Sequence, residues 1–289
     1  MGVLTMRFFI FGAGYSACAF ARQSNADFYG TTRSENRFSD LEKANIKPLI
    51  FPNYNSQTNL ENTLNQITHL IISIPPDETG DSLLRQSSLL DHTKKLEWIG
   101  YLSTIGVYGD HQGKWIDETA PCYPKLERNK ARLQAENEWT EFAKLKNIPL
   151  AILRLGGIYG PGRNAFIKLT ENKARRIIKK DQVFNRIHSD DIAGILNLFS
   201  QNKVRGIYNL VDCEPAPPQD VITYASTLMG MIPPIEQSFE EATMSSMARS
   251  FYNDNKRISN RKLRSIGYLF KYQNYQLALD AMWASGNWK

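Results

Sequence analysis

Cysteine is scarce: the 289 residues contain three, Cys18, Cys122 and Cys213, far apart and without a C-x-x-C pair. That excludes a disulfide framework and offers no zinc-ligand spacing, so no metal is expected and a reducing, cytoplasmic setting is. No run approaches the ~20 apolar residues of a membrane span, so no membrane partner is expected. Arg7 and the apolar stretch to Ala21 imitate a signal peptide, but Gly12-Ala13-Gly14 interrupts the stretch and no polar cleavage region follows. Internal repeats and low-complexity tracts are missing as well. With 42% hydrophobic and 22% charged residues, and with 18 Gly and 13 Pro spread along the chain, the composition is that of a globular protein.

The formal charge of +6 is unevenly placed. Residues 163–186 carry eight Lys/Arg against two acids, residues 249–289 again carry eight against two, and the remainder is −6. A local surplus points to patches that meet an anion, not to a uniformly basic nucleic-acid surface. The basic segment Ala165 to Lys180, read as a helix, has Phe166 as its only aromatic, a poor stacking platform for single strands, and nucleic acid is not an expected partner.

Short apolar runs alternate with helical stretches through the first two thirds. The runs are Arg7 to Phe11, Asp27 to Thr31, Lys47 to Phe51, His69 to Ile74, Glu97 to Leu102 and Leu150 to Leu155; Tyr15 to Gln23 and Glu127 to Asn147 read as helices. Such alternation predicts an α/β fold with a parallel sheet. The first run leads into Gly12-Ala13-Gly14-Tyr15-Ser16-Ala17, a G-x-G-x-x-A in strand-turn-helix context. Gly12 permits a tight turn, Gly14 admits a pyrophosphate to the backbone, and the helix beginning at Tyr15 and Ser16 turns its positive end toward the phosphates. Twenty residues on, where a carboxylate would bind the adenosine ribose of NAD, stands Thr31-Thr32-Arg33-Ser34. Thr32 and Arg33 suit a 2′-phosphate, so NADP is expected in preference to NAD. The fourth strand ends at Ser73-Ile74-Pro75, where parallel sheets also receive ligands.

Further motifs carry a family resemblance. Leu102-Ser103-Thr104 with Val107-Tyr108-Gly109-Asp110, Arg154 to Gly162 (RLGGIYGPG) and Arg186 to Ala193 (RIHSDDIA) resemble the extended short-chain dehydrogenases/reductases, the NAD-dependent epimerase/dehydratase group. The resemblance covers residues 7 to about 270. It implies a Rossmann-type doubly wound parallel sheet with a smaller C-terminal substrate lobe. Residues 1–160 with about 187–212 would form the dinucleotide-binding domain, and 161–186 with 213–289 the lobe. It also implies a homodimer through the helices after the fourth and fifth strands.

The family pairs a Ser or Thr after the fifth strand with Y-x-x-x-K on the next helix, the tyrosinate serving as acid or base. Thr104 takes the hydroxyl position. Aligning Arg132 to Glu136 with the family's Lys-x-x-x-Glu puts Arg128 in the tyrosine's place and Arg132 in the lysine's; aligning Lys130 as the lysine puts Leu126 there. In either register the tyrosine is missing, and an arginine is no general base near neutral pH. Tyr108, His111, Tyr123 and Tyr159 are the candidates to replace it. Arg128, Arg132 and Glu136 form one ridge, facing either the cofactor ribose or solvent as an Arg132–Glu136 ion pair. Tyr159, Arg163, Arg186 and His188 are implied contacts to an anionic substrate, and Asp190 or Asp191 is read as the cap of a helix near Ile192. The cluster Asn255 to Asn260 reads as a solvated face or a phosphate contact. Two readings of function stay open: an NAD(P)-dependent oxidoreductase, epimerase or dehydratase acting on an anionic hydroxyl or carbonyl compound such as a nucleotide sugar, and a non-catalytic NADP-binding sensor.

Overall fold

The computed structural model describes residues 6–52 and 57–289; residues 1–5, the start of the expected dinucleotide-binding domain, lie outside them. The chain divides into two compact units. The first comprises Met1–Val107, Pro124–Arg154 and Ile192–Tyr208, the second Tyr108–Tyr123, Leu155–Asp191 and Asn209–Lys289.

Seven strands make the sheet of the first unit: β1 (Arg7–Phe11), β2 (Asp27–Thr32), β3 (Ile46–Ile50), β4 (His69–Ile72), β5 (Trp98–Thr104), β6 (Leu150–Leu155) and β7 (Gly206–Leu210). Their order is β3-β2-β1-β4-β5-β6-β7, with the chain reversing direction across the sheet at β1/β4. β1 lies between β2 and β4, parallel to both, with Phe8 opposite Phe28 and His69. β2 with β3 and β4 with β5 are parallel as well. This is a doubly wound α/β sheet, and it places the ends of β1 and β4 at a topological switch point. β4 stops two residues short of its expected end: Ser73 N–H still donates to Phe11 O at 2.8 Å, and two prolines then end the ladder.

β1 is apolar on both faces because both are covered. On one, Phe8 stacks on Phe28 at 5.0 Å and meets Phe20 of α1 (Tyr15–Arg22) edge-on at 5.2 Å. On the other, Phe9 and Phe11 join Leu70, Ile72, Ile99 and Tyr101 in a core capped by α2 (Glu127–Leu145). Ala131, Ala135 and Trp139 of α2 are buried, and the Trp139 ring lies 6.4 Å from that of Tyr101, so this apolar stripe is spent on the chain's own sheet.

The second unit is built from short parallel pairs. Gly157–Tyr159 pairs with Arg186–His188, Arg176–Ile178 with Glu236–Ser238, and Trp115–Ile116 with Arg257–Ile258. Phe166, Leu169, Ala225, Leu279 and Met282 form its main core.

Three expectations are corrected here. The basic helix expected over Ala165 to Lys180 runs only over Ala165–Thr170: Lys173 and Ala174 N–H both return to Lys168 O, Asn172 takes φ +53°, and a strand follows at Arg176. Asp191 is not a helix cap; within α3 (Ser189–Gln201) its carboxylate accepts from Lys271 N–H, Tyr272 N–H and the Tyr268 hydroxyl, fixing that turn. The cations of the Asn255 to Asn260 cluster face the protein's own backbone, because Lys256 Nζ donates to Gly109 O at 2.7 Å and Arg257 Nη1 to Gly113 O at 2.5 Å. Lys256 is buried, and the burial lowers its pKa.

Candidate functional site

In the first unit the ends of β1, β2 and β4 bring most of the expected cofactor residues together. Gly12 sits at φ +85°, its N–H donating to Thr31 Oγ1 at 2.8 Å, while Ala13 N–H donates to Thr31 O at 2.8 Å. A Cβ on Gly12 would lie 2.8 Å from Ile74 Cγ2 and 3.0 Å from Ile74 N, so the fold itself requires this glycine. Gly14 is different. Its φ of −101° and ψ of −156° suit any residue, and a Cβ there would meet nothing nearer than Gly12 O at 3.9 Å. Gly14 is also the N-cap of α1 and supplies no side-chain cap, which leaves the helix start open to an anion. Tyr15 and Ser16 begin the helix, Ser16 buried and Tyr15 half-buried. Ser73 and Ile74 lie beside Gly12, and Pro75 is exposed just beyond.

At the end of β2, Thr32 Oγ1 and Ser34 N–H are 3.4 Å apart, and Arg33 is exposed with no partner among the described residues. A groove of about 350 Å³ passes Tyr15 and Cys18 and gathers Arg22, Arg37 and Lys43 around Asp40. In the sequence only Arg33 is marked by the motif; Arg22 and Arg37 stand on separate elements and carry no local signal.

Thr104 ends β5, and its Oγ1 accepts from Gly106 N–H at 3.1 Å, which leaves its own hydrogen free to donate. Arg128 is exposed on the first turns of α2. Arg132 turns inward: Nη1 lies 3.2 Å from Leu102 O, 3.2 Å from the Tyr101 hydroxyl and 3.4 Å from Ile74 O, tying α2 to the ends of β4 and β5. The Arg132–Glu136 ion pair does not form. Glu136 is buried and is held instead by Arg154 of β6, with Nη2–Oε2 at 2.6 Å and Nε within 3.1 and 3.2 Å of the two oxygens; Ser103 Oγ donates to the same carboxylate. The helix ridge therefore splits, with Arg132 at the strand ends and Glu136 in the core.

The remaining candidates belong to the second unit. The structure places Tyr108 in its interior, fully buried, with its hydroxyl donating to Asn209 Oδ1 at 2.8 Å, and not at an open strand end. Tyr108→Phe is expected to cost about 1–3 kcal/mol by leaving that amide oxygen short of a donor, read as a shift of the urea midpoint; an unshifted midpoint would show that the bond contributes nothing. The His111 ring lies 6.4 Å from Tyr108 and 6.2 Å from Tyr123, which is exposed. Tyr159 and His188 are directly opposed across paired strands with rings 5.2 Å apart, while Arg163 is exposed on the turn after Gly160. Burial pushes the Tyr159 phenol well above its usual pKa and lowers that of Arg186. Asp212, which sequence reasoning missed because nothing local marks it, has a buried carboxyl whose pKa is pushed up to about 8.

No protein-family model and no curated protein matches the chain. Among solved structures, a functionally unknown conserved protein from Silicibacter pomeroyi is 39% identical, with 98% of this chain and 99% of that one covered and a TM-score of 0.88. The human epimerase family protein SDR39U1, solved with NADPH, is 15% identical over 96% of this chain and 99% of its own, at TM-score 0.72. dTDP-glucose 4,6-dehydratase from Bacillus anthracis, solved with NAD, is 15% identical over 98% and 97%, at TM-score 0.74. The last two likenesses concern the fold alone. The chain belongs to one family with the Silicibacter pomeroyi protein, built on the fold of the extended short-chain dehydrogenases/reductases of the NAD-dependent epimerase/dehydratase group.

Proposed function

We propose that the protein binds NADP(H) in the first unit and acts as an oxidoreductase or an epimerase/dehydratase-type enzyme on an anionic hydroxyl or carbonyl compound, of which a nucleotide sugar is one example. The observation that carries this reading is Gly14: the fold tolerates a side chain there, so the space in front of α1 is kept for something else. A pyrophosphate fits that space, because backbone approach and the helix dipole both favour it. The neighbours solved with NADPH or NAD support a dinucleotide of either kind. The exposed Arg33 and the lack of a carboxylate in Thr31-Thr32-Arg33-Ser34 support NADP.

When bound, the nicotinamide supplies a hydride donor or acceptor. This chain supplies binding through Gly12, Gly14 and the start of α1, and a hydrogen-bond donor in Thr104 for a substrate oxygen. Arg132 holds the ends of β4 and β5 in register and so positions the strand termini on which Thr104 and Ile74 stand. Arg128 supplies charge, not a base.

Arg33→Ala is expected to weaken NADPH binding by about 1–3 kcal/mol and to leave NADH little changed, read by nicotinamide fluorescence. Equal losses for both dinucleotides would remove the 2′-phosphate assignment.

One observation favours a second reading. Arg132, in the place of the family's lysine, is committed to the protein's own carbonyls, and the tyrosine's place holds an exposed arginine. A cofactor-binding module without turnover is consistent with that arrangement. NADPH oxidation by a panel of carbonyl compounds and nucleotide sugars separates the two: turnover establishes the enzyme, and saturable binding without turnover establishes the module.

A further inference from the structure

Nine buried side-chain polar atoms among the described residues have no hydrogen-bond partner, and four of them, Tyr159 Oη, His188 Nε2, Asp212 Oδ2 and Gln276 Oε1, belong to residues of the second unit that are linked through one strand pair and its hydrogen bonds. An unmade hydrogen bond in the interior is costly, and native proteins carry few. Such a concentration calls for an occupant.

The backbone explains why these groups meet. Gly157–Tyr159 and Arg186–His188 run parallel in register, so Arg186 and His188 share one face with Gly157 and Tyr159. Asp212 N–H donates to Arg186 O at 2.6 Å. Asp212 Oδ1 accepts from Glu214 N–H at 3.1 Å, and the Glu214 side chain in turn meets Gln276 Nε2. The remaining oxygen of Asp212 has no such donor.

The hydrogen-bonding capacity can be assigned. His188 Nδ1 accepts from Asp190 N–H at 3.1 Å, and burial holds the ring neutral with its pKa pushed down to about 4. The ring proton is therefore on Nε2, a donor without an acceptor. Arg186 uses Nη1 on Phe184 O and Ala216 O, at 2.8 and 2.9 Å, and its other nitrogens make no hydrogen bond to the described residues. Arg186 and Asp212 shift each other's ionisation, yet no ion pair joins them, and both act on Tyr159. A cation and an acid this deeply buried ordinarily close on each other; here each keeps capacity in reserve.

We propose that Tyr159, Arg186, His188 and Asp212 form a ligand site for an oxyanion that carries a neighbouring hydroxyl group. Arg186 and Tyr159 take the oxyanion; the hydroxyl accepts from His188 Nε2–H and donates to Asp212 Oδ2 in its ionised form, so the grip tightens as the pH rises through the raised titration range of that carboxyl. A hydroxyl is the group that satisfies one donor and one acceptor at once, and a hydroxycarboxylate and a polyol phosphate both offer the combination. The proposal rests on the reading of the substrate as an anionic hydroxyl compound and names how that compound is gripped.

The test is calorimetric titration of the full chain, without cofactor, with glycerate and glycerol 3-phosphate, and with the partial probes acetate, inorganic phosphate and glycerol. At least one of the first two is expected to bind about tenfold or more tightly than every partial probe, and which one does so distinguishes carboxylate from phosphate. Tyr159→Phe and Asp212→Asn are each expected to weaken that binding about tenfold. Tyr159→Phe is also expected to leave the melting temperature unchanged or raised, because it deletes an atom that lacks a partner. Three results overturn the proposal: full and partial probes binding alike, no probe binding to folded protein, or Tyr159→Phe lowering the melting temperature without touching affinity, as a buried structural water would require. NADPH titrated into the same sample reports the cofactor reading separately, so intact NADPH binding with any of these results overturns this inference alone.

Discussion

Glu136→Ala is expected to destabilise the protein by about 3–5 kcal/mol. The carboxylate is buried between α2, β5 and β6, where it takes a two-pronged contact from Arg154 and the Ser103 hydroxyl. Removing it strands a guanidinium whose side chain is only 4% exposed. Water cannot reach that charge to compensate, and the desolvation already incurred is no longer offset. For a unit of this size the loss corresponds to a fall in melting temperature of roughly 10 °C. The double variant Glu136→Met with Arg154→Met is expected to recover most of it, since apolar side chains of similar length replace a buried pair at little cost. Thermal melts followed by circular dichroism read all three proteins. Glu136→Ala melting with the wild type would mean that the pair contributes nothing to stability.

Gly14→Val is expected to abolish dinucleotide binding, by about a hundredfold or more in affinity, while the melting temperature stays within a few degrees. The two halves of that expectation have separate causes. The backbone at Gly14 is extended and a Cβ there meets nothing nearer than 3.9 Å, so the folded chain is expected to accept a side chain at this position. The same valine occupies the approach to the start of α1, where a pyrophosphate would meet backbone N–H groups. Gly12→Ala provides the contrast: at φ +85° and 2.8 Å from Ile74 Cγ2 it strains the fold itself and is expected to lose about 1–3 kcal/mol of stability along with binding. A Gly14→Val protein that unfolds, or one that binds NADPH as the wild type does, would show that the glycine is there for another reason.

Much of the first unit was readable along the chain because its signals are local. β1 and β6 have the bounds that their apolar runs mark, and the turn at Gly12 follows from its neighbours. What escaped was decided across the sheet. Arg132 and Glu136 are one helical turn apart and carry opposite charges, so a surface pair was the natural expectation; Arg154, 18 residues on from Glu136, lies buried beside the carboxylate and takes it instead. Charge counting had the same weakness. Lys256 and Arg257 enter the arithmetic as surplus cations, yet they bind backbone carbonyls within the second unit. Their strand pairs with Trp115–Ile116, which is why residues 108–123 cluster with the second unit although they follow β5 directly. Asp212 could not be seen at all: its meaning depends on Arg186 and on a strand pairing that joins residues 29 positions apart.

The central claim, that the turn between β1 and α1 holds a phosphorylated nicotinamide dinucleotide, is tested most directly by titrating the wild-type protein with NADPH and with NADH and following nicotinamide fluorescence. Saturable binding of NADPH, tighter than that of NADH, is the predicted result. Failure of NADPH to bind to the folded protein, or binding of NADH as tight as that of NADPH, would contradict it.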